Sequence, residues 1–436
     1  MRVRFVVPRR RGRAGLRRLA PVALAAVCLA AGCGDSGDAG RDQEAGEKPA
    51  GAPVTTAAEP GRKLAIGVSE QNPNFIWAPG HDLPEPFGRW RDELGKMHPA
   101  LYRMLVYWPS VQPTEGAEPK LDAEGSGCSR DVGPCLPYAG VRDTLKALAS
   151  RQKEGGWEVL VVIAGTPEWA AREAGGCERE GTEPTSRSPK PEAMEGYRKV
   201  VETVLAAARE EGVELRFWTP WNEPNHPFSL SPQRDECSTT AEPAAAEPYA
   251  RMGETLKSTL EAEPGDQRLV LGELAALDRR KTESTTIEQF IGALPRELVC
   301  ATTIWSQHGY IGGRDPVDNV LAALDEKQCA KPHAIWMTET GVGAARRMSE
   351  RKRNDRAEQR SCRRLHRELT EWYEDERVTA AFQYTFREDD IFPTGLVTAD
   401  LTAAYPALHE WQAWGMEARP KPEDPPPASD ACSRAS

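Results

Sequence analysis

Eight short apolar runs recur along the chain, and each is separated from the next by a longer segment of mixed apolar and polar positions. The runs are continuously apolar rather than alternating, which is typical of parallel strands buried on both faces. Strands that alternate with helices at this spacing indicate successive βα units, and eight such units close into a barrel. We therefore predict an α/β fold, a single-domain (β/α)8 or TIM barrel over residues 62–418. The predicted strands are Lys63–Val68, Leu101–Val106, Glu158–Ala164, Leu215–Thr219, Arg268–Gly272, Thr302–Ser306, Ala334–Met337 and Val378–Tyr384.

The segments between these runs carry apolar residues at helical spacing on a polar background. No composition shift or linker divides them, so we expect one domain. After Trp414 the chain becomes rich in proline, and residues 419–436 are predicted to form a C-terminal tail. The predicted helices are Tyr138–Lys153, Pro191–Glu211, Tyr249–Ala262, Ile287–Leu294, Pro316–Gln328 and Glu358–Glu376.

The N-terminus has the pattern of an export signal. A basic segment from Arg2 to Arg18 precedes the apolar segment Leu19–Ala31, which is too short for a stable membrane span. Residues 29–33 resemble the bacterial lipobox, in which the cysteine, here Cys33, becomes the lipid-modified first residue. We predict a signal peptide over residues 1–32 and a lipid anchor on the outer face of the cytoplasmic membrane, with ordinary secretion as the alternative. Residues 33–61 lack apolar bulk and are predicted to form a disordered tether.

The net charge narrows the choice of partners. The whole chain carries −10, but residues 1–32 contain eight arginines and no acidic residue, so the remainder carries −18. A chain this acidic would repel a phosphate backbone, which argues against nucleic acid as a partner.

The cysteines indicate disulfides. Eight remain when Cys28 and Cys33 are set aside, and an even number in an exported chain favours disulfide bonds. We predict the pairs Cys128–Cys135, which bracket one Gly/Pro loop, and Cys177–Cys237, and we expect Cys432 to pin the tail. No CxxC pair is present, so a zinc site is not expected. No other metal and no organic cofactor is predicted.

Carboxylates and aromatic side chains follow the predicted strands at their C-terminal ends, where barrel enzymes place their active sites. The candidates, in strand order from the second to the eighth, are Arg103 and Trp108, Trp169, Trp221 with Asn222 and Glu223, Glu273, His308 and Tyr310, Glu339, and Tyr384.

Two of these carboxylates suit a particular chemistry. Hydrolysis of a glycosidic bond with retained configuration needs two carboxyl groups about 5–5.5 Å apart, one protonated and one ionised. Glu223 follows an apolar Trp-rich strand and is expected to have a raised pKa, so that it acts as acid and base. Glu339 is expected to be kept ionised by Arg103 and Tyr310, so that it acts as nucleophile. Glu273, at the end of the fifth predicted strand, is a rival carboxylate for direct contact with the substrate.

With these residues, the predicted barrel resembles the clan of retaining glycoside hydrolases that includes the cellulase-like and β-xylosidase-like families. The resemblance implies that the Asn-Glu pair after strand four carries the acid/base and that the glutamate after strand seven is the nucleophile. It also implies that the arginine on strand two supports the nucleophile and that His308 or Tyr310 contributes after strand six. Strand three lacks the histidine common in cellulase-like members, and Tyr384 stands where a tryptophan is frequent. The subsite that binds the reacting sugar is therefore expected to differ from that of the cellulase-like members.

We therefore predict a retaining glycoside hydrolase that acts on a β-linked glycoside, oligosaccharide or polysaccharide. A non-catalytic carbohydrate-binding lipoprotein on the same barrel is the alternative, and a solute-capturing lipoprotein of a transport system is a third reading that the eightfold pattern disfavours. The faces of four tryptophans are expected to hold sugar rings, namely Trp77, Trp108, Trp169 and Trp221. The predicted substrate-binding residues are Arg103, Trp108, Trp169, Trp221, Asn222, His308, Tyr310 and Tyr384.

Overall fold

Parallel strands wind into a barrel in the computed structural model, which describes residues 64–129, 132–277, 279–310, 316–343, 351, 353–389, 393–416 and 424–433. The strands follow one another around the barrel, and all of them run in the same direction. The predicted α/β TIM-barrel fold is confirmed. The predicted signal peptide (1–32), the tether (33–61) and Cys33 lie outside the described residues.

Eight barrel strands are present, and they match the eight apolar runs to within a few residues. The fifth is in two pieces, Arg268–Leu269 and Leu271–Leu274, which we treat together as β5. The others are β1 Ala65–Ser69, β2 Leu101–Tyr107, β3 Glu158–Ala164, β4 Phe217–Thr219, β6 Ile304–His308, β7 Ala334–Thr340 and β8 Val378–Tyr384.

The two pieces of β5 bring the ends of the sheet together. The first piece pairs with β4, and the second pairs with β6. Between them, the Val270 N–H donates to the Trp218 carbonyl at 2.7 Å, so the contact with β4 continues through the break. The second piece is thereby free to turn toward β6, and this brings the carboxyl ends of β4, β5 and β6 to one face.

Side chains on alternate strand positions divide the apolar core in two. A smaller cluster fills the inside of the barrel, where Trp336 packs edge-on against Phe217 at 4.7 Å between ring centres. A much larger cluster lies between the strands and the surrounding helices. Residues on both sides of each strand are therefore buried, which explains why the strands appear as continuous apolar runs.

The helices begin and end close to the predicted positions, but two large ones were missed by the sequence prediction. Phe87–Gly95 fills the first βα connection, and Pro406–Met416 follows β8. Typical end signals are present, such as the Thr286–Gln289 capping box and the left-handed Gly212. The remaining α-helices are Trp108–Val111, Gly140–Lys153, Met194–Glu211, Ala246–Ala262, Ile287–Ala293, Arg296–Val299, Val317–Asp325, Asp355–Glu374 and Asp430–Ser433.

Four disulfides link the eight cysteines that lie within the described residues, and both predicted pairs, Cys128–Cys135 and Cys177–Cys237, are among them. The other two are Cys300–Cys329 and Cys362–Cys432. The last bond attaches the described part of the C-terminal segment to the helix Asp355–Glu374, as expected for Cys432. Within the described residues, every helix is too short or too polar to cross a bilayer.

Candidate active site

Charged and polar side chains from six strands meet at the C-terminal end of the barrel. Most of the predicted site residues take part, and Glu273 lies at the centre of the group with them. The residues brought together are Arg103 from β2, Asn222 and Glu223 after β4, Glu273 from β5, His308 and Tyr310 from β6 and the residues after it, Glu339 from β7, and Tyr384 from β8.

Irregular backbone directs two of the glutamates into the site. Glu223 and Glu273 have φ values of 45° and 54°, in the left-handed region that non-glycine residues rarely adopt. The two are joined, because the Glu223 N–H donates to the Glu273 carbonyl at 2.8 Å. Gly272, with φ 113°, allows this turn, since a Cβ there would lie 2.0 Å from the Ser306 carbonyl oxygen.

The third glutamate is placed by a shift in strand register. The pairing of β7 with β6 is regular up to Met337 and then shifts by one residue before Glu339. A bulge of this kind changes the direction of the next side chain, and bulges are common beside active sites. The shift directs the Glu339 carboxyl toward Arg103 and His308.

Arg103 is the cationic centre of the site and is buried. Its Nε and Nη2 donate to Oε2 of Glu273 at 2.9 and 2.5 Å, and Nη1 lies 3.0 Å from Oε1 of Glu339. Nη2 also donates to Oδ1 of Asn222 at 2.6 Å. This bond fixes the amide, so the Asn222 Nδ2 points away from the guanidinium and can serve as a hydrogen-bond donor.

Glu339 is held at both oxygens. Arg103 lies on Oε1, and the Tyr310 hydroxyl donates to Oε2 at 2.5 Å. Burial and the neighbouring carboxylates raise the pKa of Tyr310 well above its usual range, so the phenol stays protonated and remains a donor. The Tyr384 ring meets the Tyr310 ring edge-on at 6.5 Å and lines the same wall.

His308 lies between all three glutamates, and its side chain is 1% exposed. Nδ1 is 3.0 Å from Oε1 of Glu223 and 3.4 Å from Oε2 of Glu339. Nε2 is 3.1 Å from Oε2 of Glu273. The imidazole therefore has carboxyl oxygens at both ring nitrogens.

The spacing of Glu223 and Glu339 distinguishes between two kinds of hydrolysis. An oxygen of each carboxyl group and a nitrogen of His308 all lie within 4.8 Å of one another. Retaining glycosidases separate their carboxyl groups by about 5–5.5 Å, whereas inverting ones leave about 6.5–9.5 Å for a water molecule. The arrangement fits direct attack by one carboxylate.

The pKa of Glu223 shifts in the direction opposite to the one that the sequence predicts, and the pKa of Glu339 is raised although Arg103 and Tyr310 act on it as expected. Burial raises the pKa of Glu339, and the positive charges of His308 and Arg103 offset this only in part. Burial acts on Glu223 as well, but the hydrogen bond and positive charge of His308 outweigh it and lower the pKa of this carboxyl. The prediction for Glu223 is wrong because it counted the apolar neighbours, such as Trp221, and not the imidazole of His308.

Two of the four predicted tryptophan platforms lie in the core, whereas Trp77 and Trp169 are half-buried. Trp108 and Trp221 are fully buried, and their Nε1 groups donate to Gln112 and to the Ser229 carbonyl, both at 2.9 Å. Neither offers an exposed ring face for a sugar, so this part of the prediction is corrected. Trp169 is half-buried and packs edge-on against Trp108 at 5.7 Å. A tryptophan at the end of a strand does not show by itself which way it faces.

The same cluster is the place in the site where a metal ion would fit by distance, because Glu223, His308 and Glu339 offer ligand atoms within 4.8 Å of one another. Burial lowers the pKa of His308, but the carboxylates of Glu339, Glu223 and Glu273 outweigh it and raise the value to about 10. A protonated imidazole has no lone pair for a metal. The group is therefore suited to proton transfer.

Sequence reasoning named Glu273 but missed its internal role, and it missed two exposed aromatic side chains on this face. Glu273 is fully buried against Arg103 and His308, so it is unavailable to a substrate and acts inside the site. Phe228 and Tyr107, on the loop after β4 and at the end of β2, are 65% and 40% exposed. A phenylalanine in a loop that follows a candidate catalytic glutamate was the available signal. A cavity of about 150 Å³ also opens beside Tyr384.

Comparisons with known proteins give a likeness in fold. No protein-family model matches the sequence, and a search of curated proteins finds no match. Among solved structures, SrfJ from Salmonella typhimurium has a TM-score of 0.53 at 10% identity, covering 82% of this chain and 75% of that one. A conserved exported protein from Bacteroides fragilis has a TM-score of 0.52 at 12% identity, covering 83% and 79%. A GH30 endoxylanase from Clostridium papyrosolvens C71 has a TM-score of 0.49 at 10% identity, covering 83% and 74%. At these identities the likeness shows the fold alone.

Proposed function

We propose that this chain is a retaining glycoside hydrolase that cleaves a β-linked glycoside. The observation that carries the proposal is the pairing of Glu223 with Glu339 within 4.8 Å, at the ends of β4 and β7, with Arg103 and Tyr310 on the second carboxyl. A nucleophile must be ionised and oriented, and a cation on one oxygen with a phenol on the other provides both.

The reaction follows from this geometry in two steps. Glu339 attacks the anomeric carbon while Glu223 protonates the departing oxygen, and this leaves a glycosyl ester on Glu339. Glu223, now ionised, takes a proton from water, and the resulting hydroxide displaces the sugar from Glu339. Configuration at the anomeric carbon is inverted twice and is therefore retained.

The remaining predicted residues have binding roles in this scheme. Asn222, whose Oδ1 is held by Arg103, can donate from Nδ2 to the sugar 2-hydroxyl, a contact that strengthens in the transition state. Tyr384 and Tyr310 line the wall beside Glu339, and the half-buried Trp169 is a remaining tryptophan candidate for a sugar ring. The substrate class is therefore a carbohydrate with a free 2-hydroxyl.

We also propose that the protein acts outside the cytoplasm, anchored by a lipid on Cys33. Four disulfides support the compartment, because such bonds persist in oxidising environments. Metabolic labelling with a radioactive fatty acid tests the anchor: the label should enter the wild type and be absent from Cys33→Ser.

The test of the reaction is intact-mass measurement after incubation with a panel of activated 2-deoxy-2-fluoro β-glycosides. The fluorine slows both steps, and the activated leaving group restores the rate of the first step alone, so a stable adduct on Glu339 should accumulate and should be absent from Glu339→Ala. The outcome that contradicts the proposal is a folded protein that forms no adduct but still binds an oligosaccharide. That outcome favours the non-catalytic carbohydrate-binding reading.

A further inference from the structure

The geometry points to Glu273 as a positioning residue that fixes a proton on Nε2 of His308, so that Nδ1 of His308 and Glu223 share the acid/base proton. The effect on catalysis rests on the proposed function as a glycosidase. The position of the protons on His308 does not depend on that function.

Glu273 cannot meet a substrate directly. Its side chain is 0% exposed, and Oε2 accepts from Arg103 Nε, Arg103 Nη2 and His308 Nε2 at 2.9, 2.5 and 3.1 Å. Burial raises the pKa of Glu273, but Arg103 and His308 outweigh it and lower the value to about 2. The group is therefore a permanent anion that can only accept hydrogen bonds.

An anion that faces Nε2 determines where the hydrogens of the imidazole ring lie. Because Glu273 only accepts, Nε2 of His308 must carry a hydrogen in every functional state. Nδ1 then faces Glu223 at 3.0 Å and Glu339 at 3.4 Å. Two ionised carboxylates cannot face a bare nitrogen lone pair at hydrogen-bond distance, so one proton lies between Nδ1 and a carboxyl. Tyr310 already donates to Oε2 of Glu339, which leaves Glu223 as the favoured partner.

This shared proton explains how Glu223 acts as an acid although its pKa is lowered. In one state the proton is on Nδ1 and Glu223 is ionised; in the other it is on Oε1 of Glu223 and the imidazole is neutral, with Nε2–H still donating to Glu273. As the glycosidic C–O bond breaks, its electron pair stays on the leaving oxygen, which takes the proton from Glu223. Without an anion at Nε2, the neutral ring could place its hydrogen on Nδ1, and that tautomer cannot exchange a proton with Glu223.

The charged and titratable groups around His308 come from the neighbouring strands and the residues that follow them. Glu223, Glu273 and Glu339 contact the ring from β4, β5 and β7. Arg103 from β2 lies behind Glu273 and Glu339, and the Tyr310 hydroxyl lies behind Glu339. Removing Glu273 therefore removes one of the three anions around His308, namely the one that faces Nε2.

The experiment is a long-range ¹H–¹⁵N spectrum of the protein labelled with ¹⁵N-histidine, recorded from pH 5 to 11 so that the range includes the wild-type pKa of His308. The chain has seven histidines, and His308→Gln identifies the signal. In the wild type Nε2 of His308 should stay protonated across the range. In Glu273→Gln the pKa of His308 should fall by at least one unit. The alkaline limb of kcat/KM should move down with it, and kcat/KM should fall at least tenfold on glycosides with poor leaving groups.

A matched control lies elsewhere in the barrel. Glu410 is a fully buried glutamate that lies 2.9 Å from Nδ1 of His366, so Glu410→Gln removes a comparable charge away from the site. It should leave the His308 signal and the pH profile of activity as in the wild type.

Two results would overturn the inference. One is a wild-type His308 that is neutral with its hydrogen on Nδ1. The other is a folded Glu273→Gln that loses stability as Glu410→Gln does but keeps the wild-type His308 titration. Absence of turnover on every glycoside counts against the glycosidase proposal alone, because the histidine spectrum needs no substrate.

Discussion

Nη1 of Arg103 lies 3.0 Å from Oε1 of Glu339, and the two side chains are 1% and 6% exposed. The same guanidinium contacts Glu273, so one buried cation balances two buried carboxylates. Removing one member of a buried ion pair leaves an uncompensated charge, which costs more free energy than the intact pair contributes. Arg103 is therefore expected to matter for both stability and activity.

Replacing Arg103 with methionine should lower the free energy of unfolding by about 3–5 kcal/mol, since Glu273 and Glu339 both lose their cation. Guanidinium unfolding followed by circular dichroism measures this. The control is Arg251→Ala, which removes a surface pair with Glu247 and should change stability by less than about 0.5 kcal/mol. Equal losses in the two variants would show that Arg103 is not the partner of buried charges.

Glu223→Gln should separate substrates by their leaving groups. Glycosides with poor leaving groups should lose about 10²- to 10⁴-fold in kcat, because they need the proton, whereas activated aryl glycosides should lose far less. Steady-state kinetics on a series of aryl glycosides of rising leaving-group pKa measures the slope. Glu168→Gln, at an exposed glutamate after β3, is the control. A uniform loss across the series would count against Glu223 as the acid.

The barrel could be predicted from the sequence because burial on both strand faces leaves a direct signal. β3 and β8 match their apolar runs residue for residue. The helix Phe87–Gly95 was missed because the segment before it is full of proline and glycine, which hides the helical spacing. Tertiary packing, rather than local preference, decides such an element.

Most of the residues that meet in the cluster could be named from the sequence, but their electrostatics could not. Strand ends locate Glu223, Glu339, Arg103 and His308, since topology brings them to one face. Nothing in the sequence shows that His308 lies between the glutamates, because that depends on the bulge before Glu339 and on the left-handed backbone at Glu273. The pKa directions depend on these distances of about 3 Å.

The pH dependence of stability tests the state of His308. Its pKa is raised from 6.5 to about 10 in the folded protein, so its contribution is fully present below pH 6.5 and is lost as the pH rises toward 10. Over that interval the free energy of unfolding of the wild type should fall by up to about 1.4 kcal/mol per pH unit more than that of His308→Gln. Unfolding curves at pH 6.5, 8 and 9.5 measure the difference. Parallel curves would show that His308 is already neutral when folded.

The disulfides should differ in their effect on stability. In the chain-entropy view, a bond that closes a longer loop restricts the unfolded chain more. Cys362–Cys432 spans 70 residues and Cys128–Cys135 spans 7, so replacing each pair with serines should cost about 4 and about 2 kcal/mol respectively. Chemical unfolding of the two double variants measures both. A larger loss for the short loop would show that local packing, and not chain entropy, dominates.

Phe228 should contribute to binding of the part of the substrate that leaves. It is 65% exposed and follows Glu223 by five residues, and the Arg179 guanidinium lies 4.9 Å from its ring centre. The Ser186 hydroxyl donates to the Phe228 carbonyl at 2.7 Å, which holds the backbone of the loop at this residue. An exposed ring on the loop that follows the acid offers a flat apolar face to a sugar.

Phe228→Ala should raise KM for an oligosaccharide about 3- to 10-fold, because an aromatic contact of this kind contributes about 0.5–1.5 kcal/mol. The kcat for an activated aryl monoglycoside should stay near the wild-type value, since that substrate does not extend past Glu223. Phe228→Tyr keeps the ring and should bind as the wild type does. An unchanged KM for oligosaccharides in Phe228→Ala would exclude this face as a binding surface and would direct the search to the cavity beside Tyr384.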